Sequence, residues 1–417
     1  MYLKLYKIFN IIITPIIALF IIVRVIQGKE DRSRIRERFG LSKKKCPKRI
    51  VIWIHAASVG ETISVMPFLN LFKDNAKYFI IFTSGTVTSG RLIRNKLPKN
   101  AVHQYAPIEN YFAIKNFLNH WKPKLSIFLE SEFWPCILYE TSKTSKLISL
   151  NTKISDRSFN RWSLVPKVFR EISELFNLFM PQSSQTYNRL KKLGVKNLHY
   201  TGNLKYTVPP LPSIDSKLSA LKSSLKNKTP ILFASTHPGE EKVIIDIYEQ
   251  IKEDHPSILI IIAPRHPGRS ESIASMLKKH NYNIAVRSKK NEIKIDTEFY
   301  IADTMGELGI LFKVSPISVI CGSFVNIGGH NPIEAAKLKS AIIMGPYISG
   351  FREICIEFKK HKAAIFVKNK KECARAIHSL LSNKSTHQKY IFNALTFINS
   401  KKDILKNTML KIKQYLK

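Results

Sequence analysis

"VIWIHAASVGETISVMPFL", residues 51–69, carries the pattern on which the fold turns. An apolar run from Ile50 to Ile54 stops at His55; small residues follow, and beyond Gly60 and Glu61 the spacing becomes helical. This reads as a strand, a tight loop and a helix. The strand is continuously apolar rather than alternating, as expected where helices cover both faces of a parallel sheet. One carboxylate, Glu61, stands at the junction, in a chain with few acids to spare.

The same pattern recurs downstream. Residues 78–83, 125–130, 146–151 and 175–180 read as further buried strands, with helices such as 62–73 and 182–193 between them. Pro, Ser and Lys cluster over 205–230, which marks a linker. A second series follows at 231–236, 258–264, 283–288, 298–303, 317–323, 340–345 and 363–367. Two β/α sets in 417 residues predict two Rossmann-like domains facing a cleft, with ligands at the carboxyl ends of the strands.

Residues 8–23, "IFNIIITPIIALFIIV", carry no charge. The run falls short of the ~20 residues that comfortably span a bilayer, but its flanks complete the length. No small-x-small cleavage site follows, which argues against a removed signal peptide. Instead come Arg24, Lys29, Arg32, Arg34, Arg36 and Arg38, which by the positive-inside rule hold the body in the cytoplasm. The expectation is a retained N-terminal membrane anchor helix, either spanning or embedded on the cytoplasmic side.

Lys and Arg number 67 against 30 Asp and Glu, a formal charge of +37. That excess calls for an anionic partner: acidic lipid, a phosphorylated substrate or nucleic acid. Nucleic acid finds no recognised motif and no aromatic–basic platform in this chain. Five scattered cysteines without a C-x-x-C pair fit a reducing compartment. Neither a zinc-ligand spacing nor an H-E-x-x-H helix is present, so no metal and no cofactor is expected.

The residues after each strand carry the chemistry. In the first half they are His55 and Glu61, then Thr83 to Gly85, then Glu130 and Glu132. In the second half they are basic or small: His237, Arg265, His266, Arg269, Met305, Gly306 and the turn "GGHNPIE", 328–334. Gly328 and Gly329 permit backbone geometry closed to other residues. Asn331 is a good N-cap and Pro332 suits the first helical position. Such a helix start favours a phosphate, and Glu334 on its first turn suits a sugar diol. No G-x-G-x-x-G and no G-x-x-x-x-G-K-[ST] occurs, so the Rossmann dinucleotide and P-loop readings lack their fingerprints.

In order, "HAASVGE", "ESEFWP", "GNLKY", "ASTHPGEE", "PRHPGR", "DTMGELG" and "GGHNPIEAA", behind an apolar N-terminus, resemble the 3-deoxy-D-manno-octulosonic acid (Kdo) transferases of Gram-negative bacteria. The resemblance extends to about residue 390, and the combination is far more specific than any one motif. It implies an α/β GT-B fold: an anchor over 1–27, an acceptor domain over 28–208 and a CMP-sugar domain with terminal helices over 209–417. It implies inverting, metal-independent transfer of Kdo from CMP-Kdo to the lipid A precursor (lipid IVA), at the cytoplasmic side of an anionic inner membrane. By motif, Glu61 matches the general base, and Glu130 with Lys205 the pair that stabilises the transition state. Pro264 with Arg265, Met305 with Gly306 and Glu307, and Asn331, Pro332, Ile333 and Glu334 match the CMP-contacting segments. The sequence departs at Lys153, where many relatives carry Arg, on the acceptor side.

The chemistry of the residues agrees with this. An inverting displacement with a phosphate-monoester leaving group needs one base and cationic help, unlike hydrolysis of a glycoside, which uses two carboxylates. A lone acid in one half and cationic donors in the other divide the task that way. Glu61 equally suits a helix N-terminus. Of Glu130 and Glu132 only one need act, and the spacing does not separate them. The competing readings are a GT-B glycosyltransferase using another nucleotide sugar and a basic, membrane-tethered nucleic-acid-binding protein.

Overall fold

The computed structural model describes every residue except 95, 226 and 417. It divides into two compact units: residues 1–208 with 402–417, and residues 209–401.

The first unit holds six strands: β1 (Ile50–Ala56), β2 (Tyr78–Ser84), β3 (Ala101–Tyr105), β4 (Leu125–Leu129), β5 (Lys146–Thr152) and β6 (Leu178–Pro181). All pair in parallel, in the order β3-β2-β1-β4-β5-β6. This is the doubly wound order, with its reversal point between β1 and β4. The second unit holds β7 (Thr229–Thr236), β8 (Ile258–Pro264), β9 (Ile284–Val286), β10 (Phe299–Ile301), β11 (Ile317–Ile320), β12 (Ala341–Met344) and β13 (Ile365–Phe366). They too are parallel, in the order β13-β12-β11-β7-β8-β10-β9, so the chain reverses direction across the sheet between β7 and β11.

The apolar strands behave as their composition requires. Every residue of β8 is buried, and Ile231, Phe233, Ile260, Ile262 and Val319 share one core with the helices Glu240–Ile251 and Lys370–Ser382. Each such side chain contributes about 1.5–3 kcal/mol on leaving water, which is why strands with no polar face form the sheet centres. The first unit repeats the scheme around Trp53, Phe117, Trp121, Phe128 and Phe179.

Several expectations need correction. Strand β3 lacks an apolar run, since its sequence AVHQY carries His103 and Gln104, and its register comes from pairing with β2. Residues 175–177 precede β6 rather than belonging to it. The stretch 205–230 is not all linker: a 3-10 turn spans Leu204–Thr207 and a helix Asp215–Ser224, the latter held through Leu221. The terminal helices also divide. Helix Ile404–Ile412 belongs to the first unit, where Thr408 meets Thr201 at 3.1 Å and the Tyr415 hydroxyl donates to the Asn177 carbonyl at 3.2 Å.

The N-terminus is not one anchor helix but two, Tyr2–Ile12 and Thr14–Ile26, bent by 62°. Among the described residues no single helix is long and apolar enough to cross a membrane. The polar residues inside the run explain the break. Asn10 donates to the Glu109 carbonyl at 2.7 Å and accepts from the Tyr111 amide at 2.8 Å, while Asn110 donates to the Thr14 hydroxyl at 2.8 Å. Pro15 then begins a new helix with its missing N–H at no cost. The first helix packs on the domain through Leu3 and an ion pair between Lys7 and Glu140 at 3.1 Å. The second leaves Ile16, Leu19, Phe20, Ile22 and Ile26 exposed.

Candidate active site

Both sheets place their functional side chains at the reversal point, where loops from neighbouring strands part. In the first unit, Glu61 follows β1 and Glu130 follows β4. Ser58 caps the helix Val59–Asn70: its hydroxyl accepts the Glu61 amide at 3.3 Å and donates to Glu61 Oε1 at 2.8 Å. The Ala57 amide donates to Glu61 Oε2 at 2.8 Å. This is a variant of the capping box, in which the carboxylate reaches the amide one residue before the cap. Glu61 is buried, and its carboxyl is pushed up from the ordinary range by that burial and by the nearby charge of Glu130, against the hydrogen bonds from Ser58 and Ala57.

Glu130 takes a left-handed backbone, φ +53°, which few non-glycine residues adopt without a reason. Its amide donates to the Leu150 carbonyl at 3.0 Å, and its carboxylate pairs with Lys205 Nζ at 3.0 Å. Asn151 holds the turn that carries Lys205, accepting the Leu204 amide at 2.9 Å. Asn203 caps that turn by accepting the Lys205 amide at 2.9 Å. Glu61, Glu130 and Lys205 are thus brought to one end of one sheet by three segments far apart in the chain.

Glu132 has a different environment. It accepts from Trp134 Nε1 at 2.6 Å and lies 3.4 Å from His55 Nε2. Burial alone would raise its carboxyl, but the His55 hydrogen bond and charge, with the Trp134 contact, hold it below the ordinary range. The Thr83 hydroxyl accepts from Trp53 Nε1 at 2.8 Å and lies 2.8 Å from His55 Nδ1. An indole N–H only donates, so the Thr83 oxygen accepts from Trp53, and His55, held at Nδ1 by Thr83, turns its Nε2 toward Glu132. The two acids that the spacing left equivalent are therefore distinct. Reading the sequence missed the His55–Glu132 pair; its one signal is that Trp53 and His55, two apart on β1, share a face.

In the second unit the loops after β7 and β11 meet at Glu240. Its carboxylate is 1% exposed and accepts the amides of His237 at 2.9 Å, Gly322 at 2.8 Å and Phe324 at 3.0 Å. His237 and His330 stack 5.1 Å apart, 9° from parallel, with their Nε2 atoms 2.9 Å apart. Burial, then the His237 and Arg265 charges, bring His330 down to about 4, so it is neutral at pH 7. Arg269 is committed to Glu241 at 2.9 Å, whereas exposed Arg265 has no ion-pair partner among the described residues.

The remaining expected donor residues lie on neighbouring loops. Pro264 ends β8 and Arg265 follows it. Gly328 and Gly329 take φ of +101° and +75°. Asn331 caps the short helix Pro332–Lys337 through the Ile333 amide at 3.1 Å and donates to Glu334 Oε1 at 3.3 Å. Pro332 and Ile333 are buried beneath that turn. Burial raises the Glu334 carboxyl, while Asn331 and the charge of Arg265 oppose it. Met305 is 74% exposed beside Gly306 at φ +82°. The Glu307 carboxylate, by contrast, is already engaged by Arg287, by Thr304 and by Lys217 at 2.8 Å. Burial would raise it, but those partners bring it down to about 2. Among the described residues no three His, Cys, Asp or Glu side chains assemble as a metal site.

Two parallel sheets, each with polar residues at its reversal point, define the architecture of the GT-B glycosyltransferases. A crystal structure of a glycosyltransferase from Rickettsia africae superposes with a TM-score of 0.60 at 13% identity, covering 89% of this chain and all (100%) of that one. Residues 33–208 match the family model of 3-deoxy-D-manno-octulosonic-acid transferase (kdotransferase), and residues 218–396 that of glycosyl transferases group 1. The 3-deoxy-D-manno-octulosonic acid transferase of Rickettsia bellii is 37% identical, over 96% of this chain and 97% of its own. That of Haemophilus influenzae is 30% identical, over 91% and 90%. The chain is a glycosyltransferase enzyme. It belongs to the 3-deoxy-D-manno-octulosonic acid transferase family.

Proposed function

We propose that this enzyme transfers Kdo from CMP-Kdo to a hydroxyl of the lipid A precursor in lipopolysaccharide synthesis, inverting the anomeric centre without a metal. The observation that carries the mechanism is the meeting of Glu61, Glu130 and Lys205 at the β1/β4 reversal point. Glu61 is the base. Each of its oxygens holds one hydrogen bond from the capping loop, which leaves lone pairs for the acceptor hydroxyl. Its raised affinity for a proton suits it to accept one near neutral pH. Lys205, positioned by Glu130, supplies positive charge where negative charge develops.

The donor side belongs to the second unit. Arg265 faces the leaving phosphate, the amides around Gly306 and Asn331 supply N–H donors, and Glu334 accepts from the ribose diol. Glu307 contributes through its backbone, since its carboxylate is spent on Arg287, Lys217 and Thr304.

The exposed apolar side of the helix Thr14–Ile26 supports membrane attachment with the body on the cytoplasmic side, strengthened by the basic segment that follows. Mass spectrometry of products from CMP-Kdo and the lipid A precursor tests the proposal. A mass increase of one or more Kdo units is expected; an unmodified acceptor with intact CMP-Kdo would sink it.

A further inference from the structure

The first unit has a second concavity that contains none of Glu61, Glu130, Glu132 or Lys205. It is a groove of about 1110 Å³ between the 3-10 segment Arg32–Phe39, the loop 40–44, the outer edge of β3 and the C-terminal end of the helix Tyr111–Trp121. Strand β3 ends the sheet, so its outer edge offers unpaired backbone groups. The 3-10 segment covers part of that edge with side chains. Arg34 donates to the His103 carbonyl at 2.9 Å, and Glu37 accepts the Tyr105 amide at 2.7 Å. Gly40, at φ +78°, seats the wall: a Cβ there would lie 2.0 Å from the Ala113 carbonyl oxygen.

The groove's charge is one-sided. Arg36, Lys43, Lys44, Arg94 and Lys99 line it, all exposed and none with an ion-pair partner among the described residues. Glu37 is the one acid in the lining, and it is spent on Arg34 at 2.8 Å and on the Tyr105 amide. His103 adds no charge of its own, being held neutral by burial and then by Arg34, Arg94 and Arg38. Five unpaired cations around one concavity cost electrostatic energy unless an anion enters, and guanidinium with ammonium groups best matches phosphate oxygens.

The groove's location points to the carrier of that phosphate. Glu30 bridges Arg24, in the last turn of the exposed apolar helix, at 2.7 Å and Arg38 of the 3-10 segment at 2.9 Å. The basic groove is thereby tied to the end of the apolar helix. We propose that it is a second anion site, which takes the phosphate of a membrane lipid head group beside the N-terminal helix pair. It rests on the membrane-attached reading only in naming a lipid as the carrier.

The test uses the full chain and vesicles of phosphatidylcholine alone or with phosphatidylglycerol, read by co-sedimentation without turnover, so failure here is distinct from failure of Kdo transfer. The variant Lys43→Gln/Lys44→Gln/Arg94→Gln/Lys99→Gln is expected to lose about 100-fold or more in binding to the anionic vesicles and little to the neutral ones. A control neutralising Lys278, Lys279, Lys289 and Lys290 of the second unit removes the same charge and is expected to retain binding. Equal loss in both variants, or none in the first, overturns the site. If millimolar inorganic phosphate raises the melting temperature of the parent but not of the groove variant, while vesicle binding is the same for both, the ligand is free phosphate and the lipid assignment falls.

Discussion

Glu240 Oε2 accepts the backbone N–H of Gly322 at 2.8 Å across a separation of 82 residues, joining the loops after β7 and β11. The same side chain takes the His237 and Phe324 amides. Truncation by Glu240→Ala leaves one buried and two part-buried donors without their partner, at a cost on the order of 3 kcal/mol. Glu240→Gln keeps one acceptor oxygen and should lose less. Denaturant unfolding of the two variants checks the ranking, and equal stability of Glu240→Ala and the parent would remove the clamp.

Glu61→Gln should keep CMP binding and lower turnover by about 100-fold or more. The acid limb of the pH–rate profile should lie above the ordinary carboxylate range, because Glu61 must be deprotonated to act and its burial, with the Glu130 charge, favours the proton. Glu130→Gln removes that charge and should move the limb to lower pH in its residual activity. An unmoved limb separates Glu61 from the titrating group.

Glu130 and Lys205 should behave as one unit. Glu130→Gln and Lys205→Met should each reduce kcat, and the double variant should lose much less than the product of the two, by an interaction energy of about 1–3 kcal/mol. A double-mutant cycle on initial rates measures this, and simple additivity would mean that the 3.0 Å ion pair has no part in catalysis.

Arg265→Ala should raise KM for the nucleotide sugar by about 10-fold with a smaller change in stability, since one charge-assisted contact is lost from an exposed side chain. CMP should compete for the parent site and UDP should not. Competition by UDP alone would replace CMP-Kdo with another donor.

Glu307 makes the second unit acid-sensitive. Its carboxyl lies at about 2 in the folded protein against an ordinary 4.5, so the folded state favours the ionised form. That contribution is complete above 4.5 and is lost as pH falls toward 2. Thermal unfolding of Glu307→Gln across that window should show a flatter dependence on pH than the parent.

The strands were legible because burial on both faces demands apolar runs: residues 258–264, read from composition, are β8 to the residue. Likewise Asn331 and Pro332 announced a helix start that the Ile333 hydrogen bond realises. Strand β3 was not legible, because its polar residues find partners only in the fold: Gln104 is buried and accepts from Trp121 Nε1 at 2.9 Å, and His103 Nε2 lies 2.9 Å from the Ser84 hydroxyl. Nor was the break at Thr14. An apolar run looks continuous until Asn10 and Thr14 find partners a hundred residues away.

The amino-acid pattern by itself determined two parallel β/α sets, the residues that close each strand and, through its ordered motifs, the family. Only the tertiary structure decided the strand orders, and with them that Glu61 and Glu130 flank one reversal point. It also returned the last helix to the first unit, paired His55 with Glu132 and spent the Glu307 carboxylate. The reason is physical: strand character is written in local burial, whereas neighbours in a doubly wound sheet are chosen by crossovers and packing between residues far apart in the chain.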